Sequence, residues 1–331
     1  MTQTYAIDAI IVGAGIAGLM AAHVLKDAGK EVIVLDKGRS PGGRLATRRI
    51  GAGAADHGAQ FFTVRTPEFG VFVERWLADG LVFEWARGWT DGSLVTTRDG
   101  HPRYAARGGM NSLAKTLAEG LQIFTEVQAT ALRQNADRWL IDTEGKGQFG
   151  ASAVLLTPPV PQSLTLLDAG GVKLTDRDRQ ALESIQYELC LTAMLLTDRP
   201  LHIPAPGAIQ RENANIHWVA DNRAKGISPQ ATILTMQATG VYSRQLWEQT
   251  DESILNAFRV DVMPLLGGAK VVEAQLKRWR YSRPISVYPE RTLIAENLPR
   301  LAFAGDAFGG PRVEGAVLSG LAAGQTLAEA L

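Results

Sequence analysis

The chain has 331 residues, of which 46% are hydrophobic and 21% charged, values typical of a globular protein large enough for two domains. Lys and Arg total 34 and so do Asp and Glu, so the net charge is zero and gives no field that steers nucleic acid or an anionic membrane toward the protein. Cys190 is the only cysteine, which excludes an internal disulfide and a CxxC pair and favours a cytoplasmic location.

The first 36 residues follow the pattern of a nucleotide-binding βαβ unit. Ala6–Val12 predicts a buried strand, the turn GAGIAG follows at residues 13–18, and a helix comes next. Glu31–Asp36 predicts a second buried strand. The apolar run at 9–22 is too short to span a bilayer, and Asp8 does not suit a signal peptide, so we expect neither.

The spaced glycines of this turn predict a dinucleotide site. Gly13 permits a tight turn, Gly15 lets the backbone approach a pyrophosphate, and Gly18 lets the helix pack close to the sheet. The pyrophosphate then lies at the positive end of a helix that begins near Ile16, while Asp36 accepts hydrogen bonds from ribose hydroxyls. These features alone do not distinguish FAD from NAD.

A second glycine motif, GGR at residues 42–44, favours FAD, because a plain NAD domain has no need of it. Gly42 and Gly43 let this loop pass close to a phosphate, and Arg44 supplies a cation for it. The alternative is a solvated basic loop, since Arg48 and Arg49 follow.

The middle of the chain mixes helices and strands. Helices are predicted before residue 80, at 108–121 and at 176–186, and strands at 122–127, 139–142, 153–157, 189–197, 215–220, 231–238 and 270–279. Residues 76–85 predict the end of a helix, a turn and a strand. Thr157–Pro161 contains three prolines, and we expect this stiff stretch to cross between two domains.

The end of the chain carries a third motif, AGDAFGGPRVEGAVLSG at 304–320. A short strand at Leu301–Ala304 brings Asp306 to a turn, where it binds a ribityl hydroxyl. A helix at Ala316–Ala330 follows, and the N–H groups of Gly315, Ala316 and Val317 are expected to face the flavin pyrimidine edge. An ordinary capped helix is the alternative.

The last strand and helix belong with the first βαβ unit, so the nucleotide domain is discontinuous. We predict an α/β fold with a Rossmann-type FAD-binding domain (residues 1–64, 105–160 and 290–331) and a second α+β substrate domain containing a mixed sheet (residues 65–104 and 161–289). The residues expected to bind FAD are Gly13, Ala14, Gly15, Ile16, Ala17, Gly18, Asp36, Lys37, Gly43, Arg44, Gln60, Val127, Thr157, Gly305, Asp306, Gly315, Ala316 and Val317. No metal site is expected from the five histidines.

These motifs resemble the FAD domain of amine oxidases and, within that group, the renalase family. The matching stretches are GGRLATR (42–48), DHGAQFFT (56–63), AARGGMNSL (105–113), LLTPPVPQ (155–162), IHWVADN (216–222), LKRWRYSRP (276–284) and AGDAFGG (304–310). The resemblance implies a two-domain flavoprotein that oxidises the 2- and 6-dihydronicotinamide isomers of NAD(P) to NAD(P)+. Hydride transfer to flavin N5 and reoxidation by dioxygen to hydrogen peroxide need no protein nucleophile or strong base, and no Ser/His/Asp set is evident.

Two departures from the amine oxidases stand out. Those enzymes typically place a Tyr two residues before the EGA of the last helix, where it forms half of an aromatic cage for the amine. The residue here is Arg312, a cation that repels an ammonium substrate and suits a carboxamide or phosphate. The usual covalent cysteine is also absent from this region, so we expect noncovalent FAD.

Position in these motifs gives the candidate substrate contacts: His57, Gln60, Phe61, Trp218, Asn222, Trp279, Arg280, Tyr281 and Arg312. Aromatic rings are expected to stack on the nicotinamide, and Arg280 to meet a phosphate. Core packing of each Trp and a local hydrogen-bonding role for His57 remain alternatives.

Three functions stay open: the renalase-type oxidase, another FAD oxidoreductase of an amine or an apolar polyene, and an NAD(P)-binding flavoprotein redox sensor with little turnover. We expect a monomer or weak dimer whose partners are a small dinucleotide and dioxygen.

Overall fold

The computed structural model describes residues 7–93 and 95–331, and the chain divides into two compact units. The first unit holds the described residues up to Gly43 together with Ala114–Gln186 and Pro284–Leu331, and the second holds Arg44–Leu113 and Tyr187–Arg283. Both units are therefore discontinuous in sequence. Compared with the predicted domains, residues 44–64 and 105–113 group with the second unit, and residues 161–186 and 284–289 group with the first.

Eighteen strands and eight helices lie within the described residues. The strands are β1 (Ala9–Val12), β2 (Val32–Leu35), β3 (Thr47–Ile50), β4 (Gly53–Asp56), β5 (Val82–Thr90), β6 (Thr96–Ala106), β7 (Gln122–Phe124), β8 (Ala129–Asn135), β9 (Arg138–Thr143), β10 (Gly147–Ala151), β11 (Ala153–Leu156), β12 (Tyr187–Thr197), β13 (Ala208–Gln210), β14 (Ile216–Asp221), β15 (Ile233–Ala238), β16 (Val271–Pro284), β17 (Leu293–Ile294) and β18 (Leu301–Phe303). The helices are α1 (Ile16–Asp27), α2 (Pro67–Ala78), α3 (Met110–Ala118), α4 (Val160–Gly170), α5 (Asp176–Glu183), α6 (Gly240–Leu246), α7 (Asp251–Leu266) and α8 (Val313–Ala330).

The main sheet of the first unit has six strands in the order β17-β18-β11-β1-β2-β7. β1 pairs in parallel with β2 and β11, β2 pairs in parallel with β7, and β11 pairs in parallel with β18. Every residue of β1, β2, β11 and β18 is buried, as expected for parallel strands covered on both faces. β2 and β7 lie on one side of β1, and β11, β18 and β17 lie on the other, which makes β1 the switch point of a Rossmann-type sheet.

Helices α1 and α8 pack closely against each other in this unit. A Cβ added at Gly320 of α8 would collide with the carbonyl oxygen of Ala17 in α1, and one at Gly324 would lie 3.0 Å from the Cα of Ala21. The two glycines therefore let the helices approach to backbone contact. This contact joins the last helix of the chain to the first within one unit.

The second unit is built on a seven-stranded sheet in the order β16-β12-β15-β14-β13-β5-β6. The pairings of β12, β15, β14 and β13 are antiparallel, whereas β13 pairs with β5 in parallel, so the predicted mixed sheet is confirmed. Side chains alternate between the two faces along each strand. Leu195 and Leu234 pack with α7, while Met194 and Ile233 pack on the other face.

Several predicted elements differ in their bounds. β1 begins at Ala9, and the predicted start at Ala6 lies outside the described residues. α8 begins at Val313, three residues before the predicted Ala316. The prediction that Thr157–Pro161 crosses between domains is wrong, because β11 passes through it into α4 within one unit. Proline is compatible with the first turn of a helix, where its missing N–H has no partner to lose.

Helices α6 and α7 and the β3–β4 hairpin were not expected from the sequence. In the described part of the chain, no helix combines the length and the apolar character needed to cross a membrane.

Candidate functional site

The predicted FAD-binding residues of the first unit lie mainly at the carboxyl ends of its parallel strands. Gly13 follows β1, Asp36 follows β2, and Thr157 follows β11. Gly305 comes two residues after β18, and the N–H of Val127 donates to the Asp36 carbonyl oxygen at 2.9 Å. Because parallel strands end at the same edge of a sheet, the structure brings these residues together where open α/β sheets bind their ligands.

The glycine-rich turn has the space that a phosphate requires. Gly15 is the N-cap of α1 and has no side-chain cap, and a Cβ added there meets nothing within 4 Å. A Cβ at Gly18 would instead collide with the carbonyl oxygen of Gly13. The N-terminus of α1 is thus open at the position where a pyrophosphate would accept hydrogen bonds from the N–H groups of the helix. The residues present therefore fit FAD.

Asp36 ties this turn to the second strand. Its Oδ2 accepts a hydrogen bond from the Ala14 N–H at 2.7 Å, and its Oδ1 accepts one from the Gly38 N–H at 2.6 Å. A carboxylate offers about four lone-pair sites, which leaves capacity for the predicted ribose hydroxyls. The adjacent Lys37 is exposed and donates to Oε1 of Gln162 at 3.2 Å.

The GGR loop adjoins the glycine-rich turn. The Gly42 N–H donates to the Ala14 carbonyl oxygen at 2.8 Å, and Gly42 forms a parallel bridge with Gly15. Gly43 has φ +54°, and a Cβ there would lie 3.4 Å from the Cα of Gly15. The Arg44 guanidinium donates to the carbonyl oxygen of Ser282 in β16 at 3.3 Å. The role of Arg44 toward a phosphate stays a prediction.

The C-terminal motif differs from the prediction in one respect. The Ala316 N–H donates to the Arg312 carbonyl oxygen at 3.0 Å, so it already belongs to the hydrogen-bond ladder of α8. Because α8 begins at Val313, only Gly315 of the three predicted N–H donors lies in the first helical turn. Ala316 and Val317 therefore do not offer their N–H groups to a ligand. Arg312 is the exposed N-cap residue of this helix.

In the second unit, a buried ion pair organises the segment that follows β4. The Lys225 ammonium lies 2.6 Å from Oδ2 of Asp56, and neither side chain is exposed to solvent. The ammonium also donates to the carbonyl oxygen of Gln60 at 2.6 Å. Burial lowers the pKa of Lys225, and the neighbouring carboxylate opposes this effect. No sequence pattern singles out Lys225, since the pair joins residues far apart in the chain.

Asp56 makes further contacts through both its side chain and its backbone. Its Oδ1 accepts hydrogen bonds from the Thr47 hydroxyl at 2.6 Å and the Met110 N–H at 2.8 Å. Its carbonyl oxygen accepts from the Thr235 hydroxyl at 2.7 Å, and its N–H donates to Oδ1 of Asn222 at 3.1 Å. Asp56 is therefore held in place by β3, α3 and the central sheet of the same unit.

His57 is a neutral group in this structure. Burial, with smaller contributions from the charges of Arg48 and Lys277, lowers its pKa to about 3. The imidazole stacks on Trp279 with ring centroids 5.4 Å apart, and the Trp279 indole N–H donates to the His57 carbonyl oxygen at 2.8 Å. The local hydrogen bond to Trp279 is therefore made by the His57 backbone, and the buried ring atom Nδ1 has no partner among the described residues. The lowered pKa favours the neutral imidazole near neutral pH.

Gln60 and Phe61 adjoin a cluster of aromatic side chains. The Gln60 amide donates to the carbonyl oxygens of Asp56 at 2.8 Å and Gly58 at 3.1 Å, and its buried Oε1 has no partner among the described residues. The ring of Phe61 lies 5.1 Å from Trp89 and 5.5 Å from Trp218. The structure thus brings Phe61 and Trp218 together, with Gln60 next to Phe61 in the chain. It adds Trp85 and Trp89, which the sequence motifs did not indicate; their rings lie 4.8 Å apart.

Besides Trp247, which lies against Arg280, three tryptophans of this unit each lie against a cation of the chain. The pairs and their distances from cation to ring centroid are Lys225 with Trp85 at 4.7 Å, Arg103 with Trp89 at 5.1 Å, and Lys277 with Trp279 at 4.9 Å. The ring faces that a cationic ligand would seek are therefore near positive charge already.

Two predicted substrate contacts do not join the others. Asn222 is completely buried, and its amide donates to the Ile233 carbonyl oxygen and the Thr235 hydroxyl, both at 2.9 Å, so it supports the sheet rather than a ligand. Arg280 lies over the ring of Trp247 at 5.8 Å. Since neighbouring side chains of a strand point to opposite faces, Arg280 and Trp279 are on different faces of β16.

Tyr281 lies on the same face of β16 as Trp279, because alternate side chains of a strand share a face. Its ring lies 5.5 Å from that of Tyr187.

Within the described residues, no three His, Cys, Asp or Glu side chains come together as a metal site.

Comparison with known proteins agrees with this architecture. The family of flavin containing amine oxidoreductases matches residues 69–328, and an NAD(P)-binding Rossmann-like domain matches residues 11–76. The chain therefore belongs to the flavin containing amine oxidoreductases, and it is an FAD-dependent oxidoreductase. More particularly, it is similar to renalase of Mus musculus, with 24% identity over 94% of this chain and 96% of that protein.

Solved structures share the fold. Putrescine oxidase bound to putrescine has a TM-score of 0.72 at 16% identity, covering 97% of this chain and 99% of that chain. Cyclohexylamine oxidase from Brevibacterium oxydans IH-35A has a TM-score of 0.69 at 16% identity, covering 98% of this chain and 99% of that chain. At this identity the likeness extends to the fold and not to the substrate.

Proposed function

We propose that the protein oxidises the 2- and 6-dihydronicotinamide isomers of NAD(P) to NAD(P)+ and passes the two electrons to dioxygen, which leaves as hydrogen peroxide. FAD, when bound, supplies the acceptor for the hydride. The remaining work falls to the chain: to hold the cofactor, to bind a dinucleotide, and to orient its dihydropyridine ring. Similarity to renalase along nearly the whole of both chains supports this reaction over others of the family.

The observation that carries the proposal is the set of cations around the tryptophans of the second unit. An amine oxidase needs aromatic faces free to receive an ammonium ion. Here Arg103, Lys225 and Lys277 already lie over the rings of Trp89, Trp85 and Trp279, so these ring faces are occupied and not free to receive an ammonium ion. A neutral dihydropyridine does not depend on a free cation-binding face, so this arrangement favours a dinucleotide over an amine.

The other predicted contacts suit a neutral ring as well. His57 is uncharged near neutral pH because burial lowers its pKa to about 3, and it therefore adds no cation to the ligand's surroundings. Phe61 is half-buried and presents an aromatic ring to a planar ligand. The side-chain oxygen of Gln60, which has no partner in the described chain, is able to accept a hydrogen bond from a carboxamide N–H.

We further propose that FAD is held without a covalent bond by the strand-end residues and the GxGxxG and GGR turns of the first unit. Cys190 is the only thiol, it is buried in β12, and burial raises its pKa to about 11. A buried, protonated thiol is a poor nucleophile for attachment to a flavin.

The test is an aerobic assay with separated 2-, 4- and 6-dihydro isomers of NAD and NADP, with putrescine and cyclohexylamine as matched amine substrates. Hydrogen peroxide and NAD(P)+ should appear in equal amounts with the 2- or 6-isomer, and little peroxide should form with either amine. Rapid peroxide formation from an amine would instead favour the alternative of an amine oxidase. Failure of every compound would favour a redox sensor with little turnover.

A further inference from the structure

We infer that Lys225 is a positioning residue that fixes the backbone of residues 56–61, the segment that presents Gln60 and Phe61. The inference rests on the proposed function only in so far as these two side chains contact the substrate. Lys225 lies outside every motif that connects the chain to its family resemblance, and its partners come from two distant parts of the second unit.

The Lys225 ammonium contacts a carboxylate, a carbonyl oxygen and an aromatic ring. It donates to Oδ2 of Asp56 and to the carbonyl oxygen of Gln60, both at 2.6 Å, and it lies 4.7 Å from the ring centroid of Trp85. The whole side chain is shielded from solvent. An ammonium has three N–H donors, so two hydrogen bonds and one aromatic face account for all of them.

Stability alone does not account for this pair. A buried ion pair loses much of its attraction to desolvation, and well-packed apolar residues often replace one without loss of stability. The bond to Gln60 is a different matter, because an apolar side chain has no donor for that carbonyl oxygen. The two contacts therefore have different roles. Asp56 neutralises the charge of Lys225, and Lys225 positions the backbone at Gln60.

Four carbonyl oxygens of the segment accept hydrogen bonds from side chains of the same unit. Those of Asp56, His57, Gly58 and Gln60 accept hydrogen bonds from Thr235, Trp279, Gln237 and Lys225, at 2.7, 2.8, 2.8 and 2.6 Å. Lys225 holds the last of the four, next to Phe61, and it is the charged member of the set. Charge-assisted hydrogen bonds are about twice as strong as neutral ones, so the loss of this donor should loosen the 60–61 end of the segment most.

The test compares three variants of the FAD-loaded protein. Lys225→Met alone leaves the Asp56 carboxylate buried without its counter-ion, and this variant should lose stability. Adding Asp56→Asn removes both charges and should recover part of that stability, but the Gln60 carbonyl oxygen still lacks its donor. Arg211→Met is the matched control, since it breaks a partly buried ion pair with Asp261 elsewhere in the same unit.

Two measurements are made on the double variant: amide hydrogen exchange of residues 56–61, and the rate constant of flavin reduction at saturating 2- or 6-dihydro-NAD(P). We expect faster exchange in this segment, a reduction rate lower by about tenfold to a hundredfold, and unchanged FAD content. Arg211→Met should match the wild type in both. A double variant with wild-type exchange or a wild-type reduction rate would overturn the inference.

The outcome separates this inference from the proposed function. If the wild-type flavin is not reduced by either isomer, the proposed substrate is wrong, and hydrogen exchange alone decides the positioning role. Faster exchange at residues 56–61 then supports it, and unchanged exchange rejects it.

Discussion

A single substitution at Gly15 tests the proposed FAD-binding turn. A Cβ at this position meets nothing within 4 Å, so a side chain there would occupy the open space at the N-terminus of α1 without disturbing the fold. Gly15→Trp should therefore give a folded protein that purifies without flavin. Gly70→Trp, where a Cβ meets only a methyl group of Val64 at 3.7 Å, is the control. A yellow Gly15→Trp protein would contradict the assignment of this turn.

His57 gives a prediction about pH. Burial lowers its pKa from 6.5 to about 3, so the unfolded chain binds a proton that the folded chain does not. The resulting stability is complete above pH 6.5 and is lost as the pH falls toward 3. Between about pH 7 and about pH 4.5, the wild type should lose roughly 2–3 kcal/mol more unfolding free energy than His57→Gln.

Urea unfolding at the two pH values measures this difference. Exposed His101→Gln is the control and should follow the wild type. Parallel losses in the wild type and in His57→Gln would mean that the imidazole is already able to bind a proton in the folded protein.

Cys190 carries the prediction of noncovalent FAD. It is the only cysteine, and its buried thiol has a raised pKa. Precipitation of the holoprotein with trichloroacetic acid should release all the flavin into the supernatant, measured by its absorbance. A yellow pellet from the wild type would show a covalent bond, and Cys190→Ser would then tell whether this thiol forms it.

At the scale of elements, the contact between α1 and α8 holds the two ends of the first unit together. Any side chain at Gly320 collides with the Ala17 carbonyl oxygen, and the helix backbone gives no room to relax. Gly320→Val should destabilise the protein by about 1–3 kcal/mol and lower its urea midpoint. Gln325→Val, at an exposed position of the same helix, should cost only the small difference in helix propensity. Equal midpoints for the two variants would exclude a tight helix contact.

Most predicted elements have strong local signals, although α7 was missed despite Thr250 at its start and Gly267 at its end. β1, α1 and β2 could be predicted from buried apolar runs on either side of spaced glycines. That spacing is typical of the strand-to-helix turn of a nucleotide-binding fold. By contrast, β3 and β4 have the sequences TRRI and GAAD, which lack the apolar alternation of a strand. Their pairing depends on the sheet beneath them, where Ile50 and Ala55 pack against Met194 and Ile233. Tertiary contact of this kind leaves no periodic pattern in the sequence.

At the scale of the whole molecule, the fold class and the family followed from sequence, and the site followed only in part. The strand-end residues of the first unit could be predicted because each lies at a fixed distance from a motif. Lys225 could not, because a buried lysine looks like a surface lysine until its distant partner Asp56 is known. Arg280 was misjudged for a local reason, since adjacent residues of a strand cannot share a face.

Single-turnover reduction of the flavin shows whether dihydronicotinamide isomers other than ordinary NAD(P)H are the substrates. The purified holoprotein is mixed without oxygen with the 2-, 4- or 6-dihydro form, and loss of oxidised flavin absorbance is followed by stopped flow. We expect rapid, saturable bleaching by the 2- or 6-isomer and slow bleaching by the 4-isomer. Slow bleaching by all three, or faster bleaching by the 4-isomer, would contradict the proposed function.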